Sequence, residues 1–312
     1  MTKPDVNTTP KRDYFEVTRG VWGFKTVFVN LYMVETNIDE WVLVDAGLQG
    51  SAQKVKDMAE DLFGSNNPPK AIVLTHGHFD HTGTLEALLE EWDVPVFAHE
   101  LELPYLTGLS SYPPPDPTVG GGLMSLMSVV YPKKPIDLGS RLQTLQKDGT
   151  ISFLPGWEYI HTPGHAPGHI SLFRKKDRLL IAGDAFVTTK QESAFSVATQ
   201  KKILSGPPKY FTINWNQAKS SVKKLRDLHP AIAATGHGKP MYGEELQKGL
   251  DNLVANFNEL AVPSSGRYVS KSAKTNKKGV LYVPPQRVNR TFIASVVAVT
   301  GLITFLFVKK LK

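Results

Sequence analysis

An α/β fold is predicted for this chain of 312 residues, on three observations. Short β-rich segments alternate with stretches of helical periodicity, as they do when strands and helices share a core. Two of the strands, "AIVLT" (71–75) and "AIAATG" (231–236), are continuous apolar runs, the pattern of a strand covered on both faces. Histidines and aspartates follow directly on the strand ends, the edge where open α/β sheets collect their sites.

Taken in order, residues 1–14 are polar and are expected to form a flexible N-terminus. "TVFVNLYMVE" (26–35) and "EWVLVDAG" (40–47) are β-rich, and the polar "TNID" between them reads as a turn. "SAQKVKDMAEDLF" (51–63) has helical spacing with Ser51 as its N-cap. The strand at 71–75 runs into "THGHFDHTG" (75–83), after which "GTLEALLEEW" (83–92) is an amphipathic helix and "VPVFAH" (94–99) a strand. Residues 101–137 are rich in Pro, Gly and bulky apolar types and read as a long irregular loop, and such loops in compact domains are often lids or binding loops. The triple glycine at 120–122 is no phosphate loop, because no Lys-Ser/Thr follows it.

Strand signals resume at 158–163, 169–174 and 178–184, with "KKD" (175–177) as a hairpin turn between the last two. Helices follow at 216–228 and 243–260, on either side of the buried strand at 231–236.

The net charge of +7 is unevenly placed. Residues 266–312 hold ten basic residues and no acidic one, which leaves 26 basic against 29 acidic groups before them, a net of −3. The main domain therefore gives no support to a nucleic-acid partner. Between Thr291 and Val308 no residue is charged, and basic residues flank the stretch on both sides. Eighteen helical residues span about 27 Å, near the thickness of a bilayer's hydrocarbon core. The expectation is a single-pass C-terminal transmembrane helix at 291–308, joined by a basic linker (263–290) to a catalytic domain (15–262). The positive-inside rule then puts that domain on the cytoplasmic side of the membrane.

The chemistry is concentrated in H-x-H-x-D-H, residues 76–81. In extended chain, residues i and i+2 point the same way, so His76 and His78 can reach one ion together. Asp80 and His81 fall where the chain turns into a helix and can face a second. With no cysteine in the chain, thiolate sites and disulfides are excluded, and imidazole and carboxylate are the available ligands. Further candidates stand at other strand ends: His161, His165 and His169 in "HTPGHAPGH", Asp184 in "IAGDAF" and His237 in "ATGHGK".

The pieces "VDAG", "THGHFDHTG", "HTPGH", "GDAF" and "TGHG", in this order, resemble the metallo-β-lactamase superfamily over residues 20 to 260. The resemblance implies an αββα four-layer sandwich of two mixed β-sheets. It implies that His76, His78 and His165 hold one metal, that Asp80, His81 and His237 hold a second, and that Asp184 bridges them. His161 and His169 are then the discarded alternatives to His165. Asp45 would sit behind the ligands and orient them by hydrogen bonds. The cofactors implied are two divalent metal ions, zinc foremost, with manganese, iron and cobalt also admitted by His and Asp ligands.

The activity implied is that of a binuclear hydrolase. A hydroxide shared by the metals would attack a small ester, lactone or related carbonyl substrate, with Asp80 as ligand and catalytic proton shuttle. Departures narrow the field. "GDAFVTTKQES" lacks the basic segment of the glyoxalase II enzymes, the β-lactamases with a Cys ligand are excluded, and His78 stands where the flavodiiron branch has Glu. The ligand set is similar to that of the quorum-quenching lactone hydrolases. Two other classes remain open, an iron-dependent oxidoreductase of the same fold and a non-catalytic, membrane-tethered binding protein. The loops at 101–132 and 187–213 are expected to set specificity for a small-molecule substrate.

Overall fold

The computed structural model describes residues 14–286. Strands β1 (Tyr14–Thr18), β2 (Val21–Thr26), β3 (Val29–Asn37), β4 (Glu40–Val44), β5 (Ile72–Val73), β6 (Val96–Ala98) and β7 (Leu142–Thr144) form one sheet in sequence order. β1 to β4 are antiparallel; β4 to β7 are parallel, so the sheet is mixed. The second sheet has the order β12-β11-β10-β9-β8 and is also mixed. Its strands are β8 (Trp157–His161), β9 (Ile170–Arg174), β10 (Leu179–Gly183), β11 (Ile232–Thr235) and β12 (Met241–Tyr242).

Side-chain alternation sorts these strands into layers. In β3, Leu31 and Met33 join a core with Val55 and Met58 of helix α1 (Ala52–Phe63). Their neighbours Tyr32 and Val34 join a second core with Leu172, Leu179 and Ile181 of the other sheet. In β10, Leu180 and Ala182 face a third core, packed on α7 (Trp215–Asp227) and α8 (Gly243–Ala255) through Val222, Leu225, Leu246 and Leu250. Helix, sheet, sheet and helix thus stack as the expected αββα sandwich.

Shorter helices complete the chain: α2 (Phe79–Thr82), α3 (Leu85–Leu89), α4 (Leu103–Leu106), α5 (Leu123–Met127), α6 (Ala194–Thr199) and α9 (Phe257–Leu260). The helix expected over 83–92 begins earlier, in α2, and is interrupted at Gly83 and Thr84. Gly83 N–H donates to Gly47 O at 2.8 Å, and a Cβ at this glycine would overlap the backbone at 47–49. That close approach requires glycine. Ser51 stands at the N-cap of α1, but its hydroxyl makes no capping bond.

Of the expected flexible N-terminus, residues 1–13 lie outside the described residues, and Tyr14 opens β1. Within the stretch read as a linker, β13 (Lys274–Asn276) and β14 (Gly279–Tyr282) form a hairpin. This stretch packs onto the domain. Val280 N–H donates to Ser110 Oγ at 3.2 Å, and Tyr268 is buried with its hydroxyl on Pro114 O.

The expected membrane location requires correction. Among the described residues no helix is long and apolar enough to cross a membrane. The longest of them, α7 and α8, have 13 residues each. At 1.5 Å per residue that is about 20 Å, short of a hydrocarbon core of about 30 Å. Segment 291–308, on which the anchor and the cytoplasmic placement rested, lies outside the described residues.

Candidate metal centre

The strand ends converge as the α/β pattern predicts. Asp45 follows β4, His76 and His78 follow β5, His165 lies between β8 and β9, Asp184 follows β10 and His237 follows β11. Backbone contacts join the two sheets at this end: Ile170 N–H donates to Thr75 O at 2.9 Å, and Asn30 N–H to Gly236 O at 2.7 Å. The Asn30 side chain donates to Thr235 O and Gly238 O as well, at 2.9 and 2.7 Å.

Three triples of ligand atoms result, each with its atoms within 4.8 Å of one another: His76, His78 and His165; Asp80, His81 and His237; and His76, His81 and Asp184. His78 Nδ1 lies 3.0 Å from His165 Nε2. Asp184 stands between the first two triples, its Oδ2 3.4 Å from His165 Nε2 and 3.1 Å from His237 Nε2, its Oδ1 3.6 Å from His81 Nε2. All seven side chains are buried.

Three of the buried polar atoms here have no hydrogen-bond partner among the described residues: His76 Nε2, His81 Nε2 and Asp184 Oδ1. Orphaned buried polar atoms are costly, and these three belong to the one triple that joins the other two. Lone pairs converging on one buried point suit a cation. The charge balance agrees. Burial drives the pKa of His76, His78 and His165 down, to about 3 for His78, with the neighbouring imidazoles adding to it, so these are neutral donors. At His81 burial acts in the same direction, yet Asp45 and Asp184 overcome it and raise the pKa. Burial would raise the Asp184 carboxyl, but His237 and His81 hold it well below the usual range. The carboxylates thus draw positive charge to this spot, and the residues present fit divalent metal ions.

Four of the five histidines are anchored through their other ring nitrogen. Asp45 accepts from Thr75 N–H at 2.7 Å, and its Oδ2 lies 2.8 Å from His81 Nδ1. Thr75 Oγ1 donates to Asp45 at 2.8 Å and lies 3.1 Å from His76 Nδ1. One carboxylate therefore orients His81 directly and His76 through a hydroxyl. It does so from a left-handed backbone conformation, φ 60°, which is uncommon for aspartate and typical of functional sites. His237 Nδ1 is 2.7 Å from Phe28 O, and His165 Nδ1 is 3.3 Å from Thr212 Oγ1.

The superfamily model matches residues 25–237. The chain belongs to the metallo-β-lactamase superfamily. Probable metallo-hydrolase YflN of Bacillus subtilis is 44% identical over 248 residues, covering 79% of this chain and 94% of that protein. Probable metallo-hydrolase YybB of the same organism is 32% identical over 222 residues, covering 71% and 85%. Among solved structures, a Beta-lactamase domain protein from Burkholderia ambifaria superposes with a TM-score of 0.54 at 21% identity, over 81% of this chain and 79% of that one. It shares the fold.

Every residue singled out on the superfamily pattern is brought to this one place, and the discarded histidines are elsewhere occupied. His169 Nε2 accepts from Asp184 N–H at 2.8 Å, and its Nδ1 lies 2.9 Å from Thr162 Oγ1, so it positions the backbone of Asp184. His161 turns away, with Nε2 2.9 Å from Pro167 O and its ring stacked on His99 at 4.1 Å. Sequence reasoning missed Thr75, Glu102, Thr212 and the carbonyl of Phe28. Thr75 alone had a signal, its place beside His76.

Both suspected specificity loops reach the site. Val119, Met124, Val197, Tyr210 and Phe211 pack in one cluster, with Phe28, Phe79, Tyr131 and Ala194 against it. Phe211 stacks on the His78 ring at 4.5 Å, and Phe28 lies along His237 at 6.1 Å. The candidate ligands thus form a floor and this aromatic cluster a wall.

Proposed function

We propose that the protein is a binuclear metallo-hydrolase of a small ester, lactone or related carbonyl compound carrying an apolar arm. One observation carries the reading: two buried triples, His76–His78–His165 and Asp80–His81–His237, flank Asp184, and orphaned donor atoms face the point between them. His76, His78 and His165 would hold one ion, Asp80, His81 and His237 the other, and Asp184 both. Two such ions, when bound, supply an activated water at neutral pH and polarise the substrate oxygen.

The chain's own residues do the rest. Asp45 and Thr75 hold the His81 and His76 imidazoles in the tautomer that presents Nε2 to the centre. Asp80 would hold a proton and pass it to the leaving group. Phe79, Tyr131 and Phe211 exclude water on one side and give an acyl or aryl arm an apolar surface. The names of the B. subtilis relatives, probable metallo-hydrolases, agree with hydrolysis.

The test is a panel of lactones, esters, thioesters and phosphodiesters run beside metal analysis of the full chain. Two divalent ions per chain and turnover of an ester or lactone, lost on chelation, are expected. Iron with oxygen consumption and no hydrolysis would overturn the reading in favour of an oxidoreductase.

A further inference from the structure

Glu102 is the N-cap residue of α4, fully buried and far in sequence from every proposed ligand. Its two carboxylate oxygens serve two different loops. Oε2 accepts from Gly77 N–H at 2.9 Å, between His76 and His78. Oε1 accepts from Gly168 N–H at 2.6 Å, in the loop that carries His165. Tyr112 adds a third donor, its hydroxyl bonding Oε2. Gly77 N–H also reaches the Tyr112 oxygen at 2.8 Å, and the Tyr112 ring lies 4.5 Å from that of His78.

Both glycines are required by this approach. A Cβ at Gly168 would overlap Glu102, and one at Gly77 would overlap Tyr112 and Leu106. A buried carboxylate is tolerated where hydrogen bonds satisfy it, and here two backbone N–H groups and a phenol do so. The same bonds set the distance between the loop of His76 and His78 and the loop of His165. The His81 and His237 rings take their orientation elsewhere, from Asp45 and from Phe28 O.

We infer that Glu102 is a positioning residue that clamps the two loops of the three-histidine triple, and so sets the affinity of one of the two metal ions without touching either. This inference rests on the binuclear reading above, and its test separates the two.

The experiment is metal titration of the full-length apo protein with Co2+, followed by indicator competition and by the cobalt absorption spectrum. Wild type and Glu102→Gln are compared. The amide keeps the volume but turns a donor toward one of the backbone N–H groups, so one loop loses its tether. Partners that orient ligands are worth roughly 10–100-fold in metal affinity. The expected result is a loss of that size for one ion, with its cobalt band changed and the second ion bound as in wild type. Tyr112→Phe, which spares both carboxylate-to-backbone bonds, weakens the same ion by less.

Equal weakening of both ions, or wild-type binding of both by folded Glu102→Gln, would overturn the inference. If Glu102→Gln does not fold, Tyr112→Phe decides by the same criterion, and unchanged binding of both ions sinks the proposal. Fewer than two ions on wild type would overturn the binuclear reading and this inference with it. Absence of ester turnover, with both ions bound, would strike only the substrate assignment.

Discussion

The floor and the wall of the site are built on different principles. On the floor, Asp45, Thr75, Thr212 and the Phe28 carbonyl each pair with a ring nitrogen of a proposed ligand. Orphaned atoms remain there only where the ligands converge, at His76, His81 and Asp184. In the wall ring contacts predominate, such as Phe79 on Tyr131 at 5.2 Å and Tyr210 on Phe211 at 5.0 Å, beside one hydroxyl bond from Tyr131 to Met124 O at 3.2 Å. Beside it the buried hydroxyls of Ser125 and Ser128 have no hydrogen-bond partner among the described residues. Directional bonds fix positions, whereas apolar contacts fix mainly volume. On the proposed function this is a division of labour, with the reaction set by the floor and the choice of substrate by the two loops of the wall.

The sharpest way to break this division is at the floor. Asp184→Ala or His78→Ala is expected to take hydrolysis to background and lower bound metal, read together by kinetics and metal analysis. Full activity in a metal-depleted variant would refute the floor's role. Asp45→Asn acts one step behind the ligands. It removes the acceptor for the His81 ring, and a loss of roughly 10–100-fold in metal affinity is expected, with wild-type affinity counting against the orienting role.

At the wall the expected effect is smaller and selective. Phe211→Ala removes apolar surface worth about 1.5–3 kcal/mol when fully buried. That corresponds to a fall in kcat/KM of about tenfold or more for an ester with a long acyl arm. The acetate ester should change far less, and an equal fall for both would mean that Phe211 serves the metal ligand it stacks on.

The smallest effect lies outside both regions. Burial and the stacked His161 depress the His99 pKa to about 4, against the favourable pull of Glu100. Protonation then favours the unfolded chain. The stability contributed is present above the unfolded pKa of about 6.5 and is lost as pH falls through 4. The gap in Tm between wild type and His99→Gln should therefore narrow from pH 7 to pH 4.5. A constant gap would assign the acid sensitivity to the floor histidines instead.

Legibility in the sequence followed the range of the interactions. The strands at 40–47, 71–75 and 169–184 were readable because alternation and apolar runs are local. The β1–β2 hairpin carried no turn signal strong enough to read, and β13–β14 sat in a stretch whose charge suggested a linker. The anchor read from the composition of 291–308 falls outside the described residues.

The ligand chemistry was in the sequence, because it resides in side-chain type and in the i, i+2 spacing of His76 and His78. The order of the five motifs carried the family. What only the tertiary structure decided was which groups stand behind the ligands. Thr75 meets Asp45 across 30 residues and Gly168 meets Glu102 across 66. No local pattern encodes such partners, for each hydrogen bond depends on loops that two sheets must first bring together.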